Sequence, residues 1–132
     1  LKLGEFIHSI RIPIADKNIF KCYKISKRFD DDISSVCAAF NLLIENKKIK
    51  QIRIAFGGMA ALPKRAIYCE KVLLNSSTTK DVIDKAKEAL EKDFSPISDM
   101  RSSGMYRKII AKNLLEKCFL EINEKKLIGI YN

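Results

Sequence analysis

Cysteine and histidine are the side chains most often used as metal ligands or nucleophiles, and this chain carries four of the first and one of the second. Cys22, Cys37, Cys69 and Cys118 are separated by 15, 32 and 49 residues. That leaves no CxxC pair and no Cys/His spacing of the zinc type. Cys37 stands in Val36-Cys37-Ala38-Ala39-Phe40 and Cys118 beside Phe119. Free cysteine behaves as a small buried hydrophobe, so the expectation is core thiols in a reducing, cytoplasmic compartment. His8 lies between Ile7 and Ser9 without carboxylate or cysteine company, which makes it a poor acid–base candidate. No nucleophile, acid–base pair or metal site is expected.

Charge offers a second route to function. The 132 residues hold 25 Lys+Arg against 16 Asp+Glu, a net charge of +9. The excess is dispersed over Lys17, Lys21, Lys24, Lys27 and Arg28, then Lys47, Lys48, Lys50 and Arg53, and is broken by Asp30-Asp31-Asp32. Nucleic-acid binders usually join a basic patch to exposed aromatics. Here Phe20, Tyr23, Phe40, Phe56 and Phe119 fall mostly on apolar faces, so a solvated basic surface and no nucleic-acid partner are expected. A basic RNA- or protein-interaction module is the alternative from another class. No stretch approaches the ~20 apolar residues of a membrane span, and Glu5 and His8 interrupt any signal-peptide core. With 47% hydrophobic and 31% charged residues, residues 1–132 read as one globular domain. The first residue is Leu1, which suggests a piece of something longer.

The elements that must carry these residues divide the chain in two. Residues 5–13 alternate loosely, with Phe6, His8, Ile10 and Ile12 on one face, and Asp16-Lys17-Asn18 leads into a second alternating run, 19–26. Those two runs suggest an antiparallel pair. Residues 33–45 fit helical spacing and strand alternation equally, with Asn46-Lys47-Lys48 a plausible hairpin turn into 49–56. Beyond them, Pro63 is placed for a helix start ahead of Ala66, Ile67, Cys69, Leu73 and Leu74. Thr78-Thr79-Lys80-Asp81 opens a second helix with a stripe of Val82, Ile83, Ala86, Ala89 and Leu90, closed by Phe94-Ser95-Pro96. A third helix runs from about 102 to 122, with Tyr106, Ile110, Leu114, Cys118 and Ile122 in one row and Ser102 as its expected cap. Four strand candidates followed by three helices predict an α+β domain, a four-stranded antiparallel sheet with the helices on one face.

Three stretches carry more information than periodicity does. They are residues 23–34 (Tyr-Lys-Ile-Ser-Lys-Arg-Phe-Asp-Asp-Asp-Ile-Ser), 54–66 with Gly57-Gly58 and Pro63-Lys64-Arg65, and 96–107 with Asp99, Arg101, Tyr106 and Arg107. In this order and at these separations they resemble the C-terminal domain of the FAD subunit of molybdenum hydroxylases, with wording nearest that of bacterial xanthine dehydrogenase FAD subunits. The resemblance covers about residues 4–121. It implies that 33–45 is a strand paired with 49–56. It also implies an oxidoreductase complex in which a molybdopterin subunit hydroxylates the substrate and a 2Fe-2S iron–sulfur subunit relays electrons to FAD. FAD then reduces NAD. The main FAD-binding domain would precede residue 1, leaving this domain as one wall of the flavin pocket. Relatives acting on nicotinate, an aromatic thioester or carbon monoxide share the pattern, because substrate is chosen at the molybdenum centre.

The resemblance also assigns residues. Lys24 matches a position that contacts FAD, where an ammonium at the ring's carbonyl edge stabilises negative charge. Ile7 matches an apolar residue packed on the isoalloxazine. Arg28 and Asp31 fall on charged positions of a loop that lies beside the flavin and tunes NAD access. Gly57-Gly58 permits a sharp turn. Asp99, Arg101, Tyr106 and Arg107 look like a network at a helix start. Gly104 should weaken that helix by about 1 kcal/mol and loosen its first turn.

Overall fold

The structure, a computed structural model, describes residues 1–12, 17–28 and 32–125. Its sheet is a meander of β1 (Ile19–Ile25), β2 (Val36–Glu45), β3 (Lys48–Gly57) and β4 (Lys64–Arg65), each antiparallel to the next. Helices α1 (Ile67–Leu73), α2 (Lys80–Asp93) and α3 (Gly104–Glu124) follow.

Alternation decides which face the helices cover. Val36, Ala38, Phe40 and Leu42 of β2 point inward together with Ile49, Ile52, Ile54 and Phe56 of β3. Strand geometry sends every second side chain to the same side. The β2–β3 register slips between Leu43 and Ile44, which is why two exposed residues, Lys50 and Gln51, separate the inward Ile49 and Ile52. Asn46 and Lys47 turn the hairpin with positive φ, the geometry of a two-residue turn matched to strand twist. Against the inner face pack Cys69 and Leu73 of α1, Ile83, Ala86 and Leu90 of α2, and Ala111, Leu115, Cys118 and Phe119 of α3. Phe40, Phe56 and Phe94 meet edge to face through the centre. The long ambiguous segment is therefore strand, since its inner row fills the core while its outer row stays half open.

Several expectations are revised. Four strands are present, but residues 5–12 form none of them. Phe6, Ile7, Ile10 and Ile12 are all exposed, and an alternating run without a partner strand has no ladder to join. The fourth strand is β4 instead: Pro63 precedes a two-residue strand, and α1 begins only at Ile67, after the Ala66 N–H has bonded the Ile54 carbonyl. The first turn of α1 is capped from outside by Asp93, whose carboxylate accepts from the N–H groups of Tyr68 and Cys69, both at 3.0 Å. Ser103, not Ser102, caps α3, its hydroxyl accepting from the Tyr106 N–H at 3.1 Å. Gly104 does not loosen the first turn. A β-carbon there would stand 2.5 Å from the Pro96 carbonyl, so glycine is what allows this close approach. Only Cys69 and Cys118 are core thiols; Cys22 is exposed and Cys37 half-buried.

Candidate functional site

Because the helices take the inner face, the outer face of the sheet is open. Phe20, Cys22 and Lys24 of β1 project onto it, next to the half-buried Cys37 and Ala39 of β2 and Ala55 and Gly57 of β3. Lys24 lies directly opposite Cys37, and Cys37 opposite Gly57. Small side chains give this part of the face a low floor, with an ammonium and an aromatic ring standing above it.

Neighbours of Lys24 on the inner face explain why it points outward. Tyr23 packs edge-on to Phe40 and donates its hydroxyl to Glu121 of α3 at 2.8 Å. Glu121 is buried and also meets Lys21 at 3.0 Å, while the Lys117 ammonium lies over the Tyr23 ring. Burial, reinforced by the bond to Glu121, pushes the Tyr23 hydroxyl far above its usual value. With Lys21 and Tyr23 anchored to α3, the alternation of β1 leaves Lys24 on the open side.

The other assigned positions are placed less uniformly. Ile7 is 65% exposed in an irregular segment outside the sheet, so the structure does not seat it in the core or in a ladder with Lys24. Arg28 donates to Asp32 at 3.4 Å. Hydrogen bonding from its guanidinium holds the Asp32 carboxyl below its ordinary value. Asp31 lies outside the described residues. Among the described residues, Arg28 pairs with Asp32 at the i, i+4 position.

Beyond the end of β1 opens a cleft of about 460 Å³, bordered by Ser26, Lys27, Arg101, Ser102 and Tyr106. Lys27 reaches across it to the Met100 carbonyl at 2.9 Å. The Ser102 hydroxyl is buried there without a hydrogen-bond partner among the described residues.

One buried side chain ties the second and third motifs to the residue that follows the first. Arg107, 4% exposed, donates to the carbonyls of Ser35 at 2.6 Å and Gly58 at 2.7 Å, and to both oxygens of Asp99 at 2.8 Å. Asp99 also accepts from the N–H groups of Ser102 and Arg101. Those bonds, with Arg107 added, hold its carboxyl below the usual range. The expected helix-start network is therefore real for Asp99 and Arg107, whereas the side chains of Arg101 and Tyr106 line the cleft. Ser35 and Gly58 were the missed members; backbone acceptors leave no side-chain signal, and only the shared order of the motifs hinted at them. Among the described residues, no group of three or more His, Cys, Asp or Glu is placed to hold a metal ion. No helix of the described residues is long and apolar enough to cross a membrane.

Comparison with known proteins agrees with this fold. Residues 21–122 match the family model of the CO dehydrogenase flavoprotein C-terminal domain. The glyceraldehyde dehydrogenase medium chain of Sulfolobus acidocaldarius is 30% identical over 90% of this chain and 42% of its own length. Xanthine dehydrogenase of Dictyostelium discoideum is 31% identical over 100% of this chain and 11% of its own. The chain therefore spans less than half the length of either relative. A solved carbon monoxide dehydrogenase from Hydrogenophaga pseudoflava superimposes with a TM-score of 0.72 at 22% identity, covering 78% of this chain and 36% of that one, and so shares the fold.

Proposed function

Because the chain belongs to the family of CO dehydrogenase flavoprotein C-terminal domains, we propose that it forms one wall of an FAD pocket in a molybdenum hydroxylase of the xanthine dehydrogenase type. The observation that carries this reading is Lys24 on a helix-free sheet face above the low floor of Cys37, Ala39 and Gly57. These residues suit a flavin. Small side chains admit a flat ring close to the backbone, and an ammonium stabilises negative charge at a carbonyl edge. When bound, FAD supplies the relay of electrons towards NAD.

In this reading Lys24 binds and polarises the ring, Ile7 covers it from the N-terminal segment, and Arg28 and Asp31 set the field of the adjoining loop. The cleft at Lys27 and Arg101 admits NAD, whose phosphates suit two cationic side chains and the unpartnered Ser102 hydroxyl. The main FAD-binding domain, a molybdopterin subunit and a 2Fe-2S iron–sulfur subunit are its partners in a cytoplasmic complex, and the substrate is selected at the molybdenum centre.

Titration with FAD tests the division of labour. Residues 1–132 alone are expected to bind FAD weakly, and the same residues joined to the FAD-binding domain to retain it. Tight, stoichiometric FAD binding by residues 1–132 alone would overturn the proposal.

A further inference from the structure

Two of the four cysteines remain unexplained by packing. Cys69 and Cys118 are buried, and burial drives both thiols up, Cys118 to about 12; such thiols are inert. Cys22 and Cys37 are placed differently. They lie on adjacent strands, on the same open face, at diagonal positions of the ladder: Cys22 is opposite Ala39, and Cys37 is opposite Lys24. Cys22 is exposed and Cys37 half-buried. The register sets the two side chains as diagonal neighbours across the β1–β2 ladder. Around Cys37 there is room to move, because its cross-strand neighbour is Gly57 and the nearest atom to any side chain built there would be the Cys37 β-carbon at 3.7 Å.

We propose that Cys22 and Cys37 are a reversible redox pair, oxidised by hydroperoxides to a cross-strand disulfide. The exposed Cys22 thiolate attacks the hydroperoxide ROOH. The O–O bond breaks, an S–O bond forms, and ROH leaves with the proton, giving a Cys22 sulfenic acid. The Cys37 thiolate then attacks the Cys22 sulfur and expels water, which carries away the proton lost by Cys37. In sum, two thiols and one hydroperoxide yield one disulfide, one alcohol and one water, a two-electron oxidation of the protein. Burial pushes the Cys37 thiol up, and the Lys24 ammonium opposite it offsets only part of that, so the exposed Cys22 is the sulfur that meets the peroxide first.

Diagonal partners on a sheet stand roughly 7–8 Å apart, farther than directly opposed ones. Closing the bridge must therefore shift β1 against β2, and the resulting bond is strained. Strained, exposed disulfides are easily reduced, which is the property of a switch and not of a structural staple. The pair lies on the same face as the proposed flavin floor, and its oxidation, which needs only the thiols of this chain, is tested with that face free of flavin.

The test is oxidation of the 132-residue chain with one equivalent of hydrogen peroxide, read by thiol titration after denaturation and by peptide mapping. Free thiols should fall from four to two, with Cys22 linked to Cys37 within one chain and full recovery in dithiothreitol. Cys37→Ser should stop at a Cys22 sulfenic acid that dimedone traps, and Cys22→Ser should keep all its thiols. Four surviving thiols in the wild type, a linkage through Cys69 or Cys118, or a Cys22–Cys22 link between two chains would each overturn the proposal. Equal oxidation of Cys22→Ser and wild type would do the same.

Discussion

The Arg107 guanidinium grips both oxygens of Asp99 with one terminal nitrogen at 2.8 Å, and spends its other terminal nitrogen on the carbonyls of Ser35 and Gly58. Segments far apart in sequence, at the start of β2, after β3 and before α3, are thereby fixed to one buried cation. This places the cleft-lining Arg101 and Ser102 beside Ser26 and Lys27. A lysine at 107 offers no planar fork to satisfy these acceptors together.

Arg107→Ala should cost about 3 kcal/mol, because it strands the buried Ser35 carbonyl and its companions without a donor. Arg107→Lys should recover less than half of that loss. Urea unfolding measures both.

Glycine substitutions should contradict helix propensity. Gly104→Ala would gain about 1 kcal/mol if the helix alone mattered. The added carbon would instead meet the Pro96 carbonyl at 2.5 Å, so a net loss and a lower Tm are expected. Gly58→Ala should be worse, since Gly58 has φ +79° and its added carbon would lie 2.3 Å from the Ser35 oxygen.

Stability should fall in alkali. Burial raises Tyr23, Cys69 and Cys118 above their ordinary values of 10.0 and 9.0, so each holds its proton more tightly folded than unfolded. Their contribution is complete below about pH 9 and is lost as pH climbs. Tyr23→Phe should cost about 1 kcal/mol at neutral pH through the lost bond to Glu121, and should flatten the decline above about pH 10. Urea midpoints at increasing pH test the sign.

How much of this was legible in the residues depends on where the cause lies. The Val36–Leu42 alternation could be read as helix or strand, because both of its rows are uncharged, and only the covered face separates the two. Residues 5–12 misled for the opposite reason: they alternate, yet nothing among the described residues pairs with them. Ser103 displaced Ser102 as the cap because Ser102 instead donates its N–H to Asp99. The outward direction of Lys24 follows from β1 alternation once Tyr23 is seated on Glu121. The convergence on Arg107 could not be read, since two of its three partners contribute only backbone oxygens.

The cleft gives a kinetic prediction. In the assembled enzyme, Arg101→Ala should raise the KM for NAD about tenfold, or about 1.4 kcal/mol of binding, with kcat nearly unchanged. An effect confined to kcat would place Arg101 outside NAD binding.

The reduction potential of FAD in the subunit containing residues 1–132, compared between wild type and Lys24→Ala, addresses the flavin wall directly. Removing a positive charge beside the ring disfavours its more electron-rich form, so the potential should fall by tens of millivolts and FAD should bind more weakly. An unchanged potential together with unchanged affinity would contradict the assignment of the open sheet face to the flavin.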